Sequence, residues 1–360
     1  ANYLGLLYGG HIDRNGVRRI QAGRGEITAD LRRAWNLNKI IGDGTAKSRE
    51  DHRHHAIDAI AIALTDMRTV KALSEANARA GAEGRRAWWK DIALPWNGFW
   101  EDVRNAVEGL IVSHRPEHKV RGKFHEETYY SEPYERNGKT YVRVRKPVDG
   151  LSENEVDAIV DGAVRERVKA RLAELGEKNP RVAFKDRSSH PFLVAQDGRR
   201  IPIHRVRIEK VMSAFPVGED HRRRFVVPDR NHHIAIYEVK AKNGEVKWED
   251  EIVDMLTAVR RLRRNEPVVN RNPGDGKKFV MSLSVGDTIL MTPEGKQEAL
   301  YIVRSISKGL VEYVELSDAR RKKEIKDKKE WGANPPNTLR KWNCRKVTIT
   351  PLGEIRWAND

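Results

Sequence analysis

The clearest helical pattern in this chain begins within a cluster of histidines. From His54 onward the sequence is dominated by Ala, Ile and Leu, and neither Gly nor Pro interrupts it before position 81. This pattern predicts a helix, with a polar continuation to about Arg86. His55 and Asp58 are three residues apart and therefore share one helix face. The other side can be buried through its apolar residues, Ile57, Ile60, Ala61 and Leu64.

The rest of residues 1–112 mixes predicted helices with short strands. The run at 17–20 is typical of a strand, and Thr28 is suited to cap a helix that extends to Leu37. Five aromatic residues then follow around Pro95. We predict that they pack in the core, and stacking on nucleic-acid bases is the alternative. These residues are Trp88, Trp89, Trp96, Phe99 and Trp100.

Residues 113–235 change to a strand-rich pattern. The sequence alternates as a hairpin around Asn137-Gly138, which is the strongest short hairpin signal. Ser152 and Glu155 form a predicted capping box for a helix that ends at Gly176. Further strands are predicted at 192–194, 201–208 and 225–227.

Residues 236–360 are also predicted to be rich in strands. Their turns carry Gly, at 243–244, 286–287 and 293–295, and 248–264 is predicted as an intervening helix. No repeat with a period of about 20–50 residues is present. The pattern therefore predicts an α/β section followed by two β-rich sections, with domains at 1–112, 113–235 and 236–360.

The charge balance indicates a polyanionic partner. The 360 residues include 68 Lys and Arg against 52 Asp and Glu, which gives a formal net charge of +16. Nucleic acid is the default partner for such a charge, although ribosomal and membrane-surface proteins share it. No apolar run of about 18 residues is present, so no membrane span is predicted. The lone Cys344 argues against a disulfide framework or a Cys-based zinc site and fits a reducing cytoplasm.

His55 and Asp58 are the two types of group that metal-assisted phosphodiester hydrolysis requires. A carboxylate holds a hard divalent cation, and an imidazole positions or deprotonates a water molecule. The alternative is a polar helix start with a surface histidine cluster. Two cations about 4 Å apart need several acidic ligands, which one Asp and one His cannot supply. We expect Asp66 to be solvated, and His52 and His54 to stay outside the catalytic step.

A loop at 113–123 is the candidate for phosphate binding. Pro116 and Gly122 predict a loop, and its charges and hydroxyl suit a clamp on one backbone phosphate. A solvated linker is the alternative. The candidate phosphate ligands are Ser113, Arg115, Lys119, Arg121 and Lys123.

Candidate base readers lie late in the chain. The segment 334–343 is predicted as a polar loop before the final hairpin, and 305–309 is predicted as a turn. Asn suits adenine edges, whereas Arg and Lys suit guanine edges. Basic runs at 222–224, 260–264 and 320–329 support nonspecific affinity but specify no sequence, and 320–329 is predicted to be a solvated helix.

Several short motifs follow one another in a distinctive order. The chain carries GEITADLRRAW at 25–35, HHAIDA at 54–59, SHR at 113–115, TYYS at 128–131 and VTITPLG at 347–353. This order resembles the C-terminal part of the RNA-guided DNA endonucleases of type II CRISPR systems, the Cas-nine family, in their compact forms. The resemblance spans essentially the whole chain, and beyond about residue 130 it rests mainly on order and spacing.

The resemblance implies roles for two residues of the helix. Asp58 corresponds to a metal-binding carboxylate of the third RuvC-like segment, with Mg²⁺ as the cofactor and Mn²⁺ as a substitute. His55 corresponds to the histidine that activates water. Two further carboxylates belong to N-terminal segments absent from this sequence, so we expect the chain alone to be inactive.

The same resemblance implies an RNase H-type α/β segment, a β-rich wedge domain and a β-rich domain that reads the protospacer-adjacent motif (PAM). The expected partners are a guide RNA (crRNA and tracrRNA), a target DNA duplex and the N-terminal remainder of the enzyme, in the cytoplasm of a prokaryote and without a membrane. The loop at 113–123 would kink the target strand. The implied base readers are Ser307, Lys308, Asn337, Arg340, Lys341 and Asn343.

Two alternative functions remain open. One is a transposon-encoded RNA-guided nickase, which shares the HHAxDA pattern but usually has a much smaller C-terminal region. The other is a basic nucleic-acid-binding module without chemistry. Because the sequence starts at Ala1 rather than Met, we expect it to be one segment of a longer polypeptide.

Overall fold

The computed structural model describes most of the chain. It describes residues 25–44, 46–84, 92–116, 118–219, 222–241, 244–274, 276–325 and 330–358, and before them residues 6, 7, 9, 10, 12, 15 and 16. The structural statements that follow concern these residues. The predicted strand at 17–20, Trp88, Trp89, Asn243 and the run 326–329 lie outside them.

The elements follow one another as helices first and mostly strands later. The α-helices are α1 (Gly25–Ala34), α2 (His54–Ala63), α3 (Met67–Ala82), α4 (Phe99–Glu108), α5 (Glu153–Val156), α6 (Gly162–Glu174), α7 (Pro180–Ala183), α8 (Met255–Arg263) and α9 (Pro336–Lys341). Short 3-10 helices occupy Leu37–Lys39, Val148–Gly150, Arg187–Ser189 and Lys322–Glu324.

The strands form several separate sheets. They are β1 (Tyr134–Arg136), β2 (Lys139–Pro147), β3 (Phe192–Val194), β4 (Arg200–Pro202), β5 (Arg205–Val211), β6 (Phe215–Val217), β7 (Arg224–Val226), β8 (Asn231–Lys240), β9 (Val246–Asp254), β10 (Lys278–Leu283), β11 (Thr288–Met291), β12 (Ala299–Ser307), β13 (Leu310–Glu315), β14 (Gly332–Asn334), β15 (Arg345–Ile349) and β16 (Ile355–Trp357). The sheet orders are β1-β2-β5, β10-β8-β9, β14-β13-β12-β11-β15-β16, β3-β4 and β6-β7.

The chain divides into two compact units. The first comprises Ala1–Glu117, Ile236–Glu249 and Leu283–Asp360, and the second comprises His118–Ala235 and Asp250–Ser282. The mixture of helices and sheets agrees with the predicted mixed class. Within the described part of residues 1–112 the named elements are all helical, so the α/β topology of that section stays a prediction. The three predicted functional domains stay a prediction.

The helices of the first unit pack around an apolar core. Ile57 of α2 is buried there, as its spacing in the sequence predicts. The rings of Trp35 and Phe99 meet edge to face with their centroids 5.3 Å apart, and the Trp35 indole N–H donates to the Ala93 carbonyl at 3.0 Å. The predicted aromatic core is therefore confirmed for Phe99, whereas Trp96 is 46% exposed.

The hairpin predicted in the second unit is confirmed. Asn137 and Gly138 connect β1 to β2, and both have positive φ angles, 52° and 68°, as a tight turn of type I′ requires. Residues 141–147 of β2 then pair with β5. The inward side chains of these two strands, including Val144 and Ile208, pack into the core beneath the sheet.

The helical pattern after His54 was predicted as one helix, and this prediction is wrong. Helix α2 ends at Ala63, and Asp66 caps the start of α3 by accepting a hydrogen bond from the Thr69 N–H at 2.7 Å. Asp favours this position because its carboxylate satisfies an amide that has no partner within the helix. The helix predicted from Thr28 likewise begins earlier, at Gly25.

Three other predicted elements differ from the structure. The predicted helix at 248–264 begins only at Met255, because the residues before it form β9, and Asp254 caps α8 through the Thr257 N–H at 2.8 Å. The segment 334–343 is not a loop, since it contains α9. The helix predicted after the capping box of Ser152 and Glu155 is interrupted at 157–161 before α6 continues it.

Candidate functional site

The residues just before helix α2 are hydrogen-bonded to the segment that follows β13. The His52 N–H donates to the Ser317 carbonyl at 2.8 Å, and the Ala319 N–H donates to the Glu50 carbonyl at 2.8 Å. These bonds join the residues before α2 to the segment after β13. The start of the helix is therefore fixed by residues that are remote in the sequence.

Asp51 helps to fix the same segment. Its carboxylate accepts from the Arg53 backbone N–H at 2.8 Å and from the Arg53 guanidinium at 2.7 Å. The hydrogen bond to Asp51 raises the pKa of Arg53. The Asp51 backbone carbonyl contacts Nδ1 of His54. Asp51 therefore anchors the turn before the helix.

Asp58 is held by two cationic side chains. Nη1 of Arg32 lies 2.7 Å from Oδ1 of Asp58, and Nζ of Lys47 contacts Oδ2. The side chain of Asp58 is 21% exposed, whereas that of Arg32 is 11% exposed. Arg32 projects from α1, so the packing of α1 against α2 determines this contact. The predicted metal ligand is thus partly buried and has a cation on each oxygen.

His55 lies one turn before Asp58 and is exposed. Its ring stands 4.0 Å from that of His54, measured between centroids. His52, by contrast, is half-buried with its ring 5.1 Å from that of His114. Burial lowers the pKa of His52, and the nearby His114, Arg304 and His55 lower it further. His52 is therefore held neutral, whereas His55 is the imidazole that solvent can reach.

The donor set on α2 suits part of a site for a hard cation. Asp58 offers a carboxylate, the ligand type that Mg²⁺ prefers, and His55 lies on the same face of the helix. Within the described part of the chain, no cluster of three or more His, Cys, Asp or Glu could hold a metal ion. Asp66 is not a further ligand, because it caps α3. A two-cation site would need carboxylates beyond those described here.

The predicted phosphate loop has one part in each unit. In the first unit, Ser113 and Arg115 are exposed, and the Ser113 hydroxyl donates to the Ile349 carbonyl at 3.2 Å. Pro116 passes so close to Gly286 that a Cβ on Gly286 would lie 3.0 Å from the Pro116 Cα. This close approach fixes the path of the loop, and the Ser113 oxygen still has lone pairs that can accept hydrogen bonds.

In the second unit, Lys119, Arg121 and Lys123 are exposed. The Arg121 carbonyl accepts from the Arg230 guanidinium at 3.1 Å, which ties the backbone of the loop to the chain near 230. Nζ of Lys123 lies 4.0 Å from a carboxylate oxygen of Asp229. All three cations thus lie at the surface, as binding to a nucleic-acid backbone requires.

The predicted base readers are divided between a turn and a helix of the first unit. Ser307 is the last residue of β12, and Lys308 lies exposed in the turn that leads to β13. The Asn337 side-chain oxygen accepts from the Trp248 N–H at 2.8 Å, so it has a structural partner. Lys341 is exposed at the end of α9.

Arg340 and Asn343 line a small cleft of about 460 Å³ within the first unit. Glu238 and Glu298 line it as well, so the cleft carries both signs of charge. Nε of Arg340 is buried and makes no hydrogen bond with the residues described. The cleft therefore places Arg340 beside the exposed Asn343.

A basic cleft on the second unit was missed by the sequence analysis. It has a volume of about 930 Å³. Arg145 on β2 and Arg205 and Arg207 on β5 line it, and all three are exposed. The alternation of Arg with buried Val and Ile in both strands was the available signal, because it directs the arginines to one face of the sheet.

Other cations of this cleft have carboxylate partners. Glu155 accepts from Lys146 at 2.6 Å and lies 3.0 Å from Nζ of Lys210. Burial raises the pKa of Glu155, but hydrogen bonds from Lys146, the Ser152 N–H and Lys210 outweigh it and lower the pKa to about 2. For Arg145, among the residues described, no such partner is found. Arg145 therefore adds positive charge to the cleft without a carboxylate partner among the residues described, although Glu126 and Glu127 also line the cleft.

The sequence that contains helix α2 is similar to that of known proteins. The family model described as RuvC endonuclease subdomain 3 matches residues 5–121, which include α2 with His55 and Asp58. The CRISPR-associated endonuclease Cas9 of Campylobacter jejuni is 27% identical over 184 residues, covering 48% of this chain and 17% of that protein. The corresponding protein of Corynebacterium diphtheriae is 42% identical over 67 residues, covering 18% of this chain and 6% of that protein.

The fold has a counterpart among solved structures. The crystal structure of Streptococcus thermophilus Cas9 in complex with the GGAA PAM matches 100% of this chain and 36% of that chain, with a TM-score of 0.58 and 16% sequence identity. A second structure of the same protein, with the AGAA PAM, matches with a TM-score of 0.55 and 15% identity over 94% of this chain and 34% of that chain.

These matches define the class of the first part of the chain as a RuvC-type endonuclease segment. In sequence the chain is similar to Cas9 endonucleases, and its fold is similar to that of a Cas9 protein. The chain spans a minor part of the length of these relatives. Among the described helices, none is both long and apolar enough to cross a membrane.

Proposed function

We propose that this chain supplies part of an RNA-guided DNA endonuclease. The observation that carries the proposal is the match of residues 5–121 to a RuvC endonuclease subdomain, with the carboxylate of Asp58 and the imidazole of His55 on one helix inside it. In this proposal the RuvC site cuts the non-target DNA strand. The non-catalytic binding module and the transposon-encoded nickase are the alternatives.

Asp58 would hold Mg²⁺, or Mn²⁺ in its place, and His55 would accept a proton from the attacking water. When bound, the metal would stabilise negative charge on the phosphate. His55 suits its role because it is exposed, whereas His52 is held neutral behind it. The remaining carboxylates would come from the N-terminal remainder of the enzyme, so the chain alone would not cut DNA.

The second unit would bind the guide RNA. The support for this role is the basic cleft, where Arg145, Arg205 and Arg207 present exposed positive charge on one sheet face. Exposed arginines on a fixed surface suit contacts to a phosphate backbone. Lys119, Arg121 and Lys123 would contact target-strand phosphate. Ser113 and Arg115 of the first unit are also proposed as phosphate ligands.

The last part of the first unit would read the PAM. Lys308, Lys341 and Asn343 support this role because their side chains are exposed, and Arg340 lines the same cleft as Asn343. Two or three such side chains suffice to distinguish base pairs in a major groove. Ser307 and Asn337 would contribute from the neighbouring turn and helix.

The test is a strand-resolved cleavage assay of the enzyme that contains this chain together with its N-terminal remainder. Asp58→Asn should abolish cutting of the non-target strand and leave guide-directed binding and target-strand cutting in place, because an amide is a poor ligand for Mg²⁺. His55→Ala should act in the same way. Asp66→Asn is the matched control, since Asn also caps helices.

The outcome tests the catalytic assignment and the binding-module alternative. Non-target-strand cutting by Asp58→Asn at the wild-type rate would contradict the catalytic assignment. If the assembled enzyme binds guide RNA but cuts neither strand with wild-type Asp58, the binding-module alternative holds.

A further inference from the structure

The two cations on Asp58 differ in how firmly they are held. Arg32 is 9% exposed and projects from α1, which packs against α2 in the helical core. Its Nε atom is buried and has no hydrogen-bond partner in the described part of the chain. Lys47 instead lies in the loop before α2, and its side chain is 24% exposed.

This difference assigns different tasks to the two side chains. Moving Arg32 away from Asp58 would leave a buried guanidinium without its carboxylate, which is strongly unfavourable. Lysine has a flexible four-carbon stem, and an ammonium that reaches water from a partly exposed site loses little on leaving an ion pair. Only Lys47 can therefore leave Oδ2 of Asp58 without disturbing the core.

We propose that Lys47 is a built-in competitor for the metal position on Asp58, and that Arg32 is the positioning residue that keeps Oδ1 of Asp58 in a fixed orientation. The proposal rests on the proposed function, because it takes Asp58 as the metal ligand. With Lys47 in place, the carboxylate is neutralised and its second oxygen is covered. A divalent cation gains Oδ2 only when the Lys47 ammonium has turned away.

Such competition would limit metal binding to this carboxylate until further ligands are added. One carboxylate with two cations at 2.7 Å or closer carries a local excess of positive charge, which repels a divalent cation. The N-terminal carboxylates would outweigh that repulsion and also attract the displaced ammonium. The site would then bind metal mainly after the chain has assembled with the N-terminal remainder of the enzyme.

The experiment measures Mn²⁺ binding to the full 360-residue chain, without activity as a readout. Mn²⁺ broadens the NMR signals of nearby amides, so a titration followed at residues 55–61 reports binding at Asp58. Lys47→Met removes the ammonium and keeps the stem. It should lower the Mn²⁺ concentration for half-maximal broadening by about threefold or more, the scale of a partly exposed ion pair.

Two further variants separate competition from net charge. Lys71→Met on α3 makes the same charge change at an exposed lysine and should leave the titration unchanged. Arg32→Met also removes one positive charge, but it should weaken Mn²⁺ binding because Asp58 loses its fixed orientation. Arg32→Lys should recover part of that loss.

Each result decides the proposal. The proposal is supported if Lys47→Met binds Mn²⁺ about threefold more tightly than the wild-type chain and Arg32→Met binds it more weakly. Equal tightening in both variants overturns it in favour of simple charge repulsion, and no change in Lys47→Met overturns the competition while Asp58 remains the ligand. If Mn²⁺ broadens residues 55–61 of Asp58→Asn as strongly as those of the wild-type chain, Asp58 is not the ligand, and the catalytic part of the proposed function fails as well.

Discussion

Arg145 and Arg207 lie directly opposite each other on the paired strands β2 and β5. Facing positions in an antiparallel pair bring Cβ atoms to within about 4.5–5.5 Å, and like charges there are destabilising. Both side chains are exposed, and Arg205 continues the same row. A polyanion that binds across the two strands would relieve this repulsion. Such a pair is therefore more consistent with a binding surface than with a contribution to folding.

Replacing either member of this pair should weaken RNA binding and leave the fold intact. We expect Arg145→Ala or Arg207→Ala to reduce the slope of log affinity against log salt concentration by about 0.7–0.9 for each phosphate that the variant no longer neutralises. Electrophoretic mobility shifts at several salt concentrations would measure this slope. Arg199→Ala is the control, because Arg199 is exposed in the same unit and is paired with Asp197. Equal losses of affinity in all three variants would contradict a specific role for the cleft.

The loop at 113–123 should contribute to DNA binding without regard to sequence. In the assembled enzyme, Arg121→Ala or Lys123→Ala should weaken binding to all DNA duplexes equally and reduce the salt slope by about 0.9 for each phosphate involved. The reason is that a phosphate is present at every step of DNA. Binding to a library of motifs provides the measurement. A changed base preference in either variant would mean that the loop reads bases.

The segment 334–343 should show the opposite behaviour. Arg340→Ala should cost about 1–3 kcal/mol on the preferred motif and much less on scrambled motifs, because a base-edge hydrogen bond forms only with the right base. The same motif library measures this. Lys39→Ala is the control, since Lys39 is an exposed lysine outside the segment. If Arg340→Ala leaves the base preference unchanged, the bases are read elsewhere, and the turn at 305–309 is the next candidate.

Asn337 also has a structural role, because its side-chain oxygen accepts a hydrogen bond from the Trp248 N–H. Asn337→Ala should destabilise the chain by about 1–2 kcal/mol through the unsatisfied amide, and Asn337→Asp, which keeps an oxygen, should recover most of that loss. Urea unfolding of the chain measures both. Base-preference data for Asn337→Ala are informative only at temperatures where the variant is fully folded.

Glu155 should make the stability of the second unit depend on pH. Its folded pKa of about 2 lies below the unfolded value of 4.5, so its contribution is complete above pH 4.5 and disappears as the pH falls towards 2. We expect Glu155→Gln to lower the free energy of unfolding by about 2–3 kcal/mol at pH 7, and the difference from wild type to shrink steadily below pH 4.5. Urea unfolding at several pH values measures it. Glu153→Gln, at an exposed position of the same helix, should show neither effect.

Local patterns in the sequence were sufficient to predict several structural features. The hairpin at Asn137-Gly138 was predictable because few residues adopt the positive φ angles that its turn needs. Ile57 was predictable as a core residue because its spacing follows the helical period. The pairing of His55 with Asp58 on one helix face depends on the same period. Each of these features is decided within a few residues of chain.

Boundaries and partners depended on the tertiary structure. The sequence did not reveal that α2 ends at Ala63 and that Asp66 caps α3, because Asp is equally acceptable on a solvated helix face. It could not show that 248–254 forms a strand, since pairing in a sheet overrides a weak local preference.

The candidate site also combines features that are predictable from the sequence with features that depend on the fold. The proposal that His55 and Asp58 carry the chemistry could be made from the chain alone, because their spacing and the order of the motifs around them are local features. That Arg32 and Lys47 reach Asp58, and that Arg145 faces Arg207, became clear from the folded chain alone. The physical reason is that contacts between distant residues follow from helix packing and strand register. Neither is encoded in any short stretch of sequence.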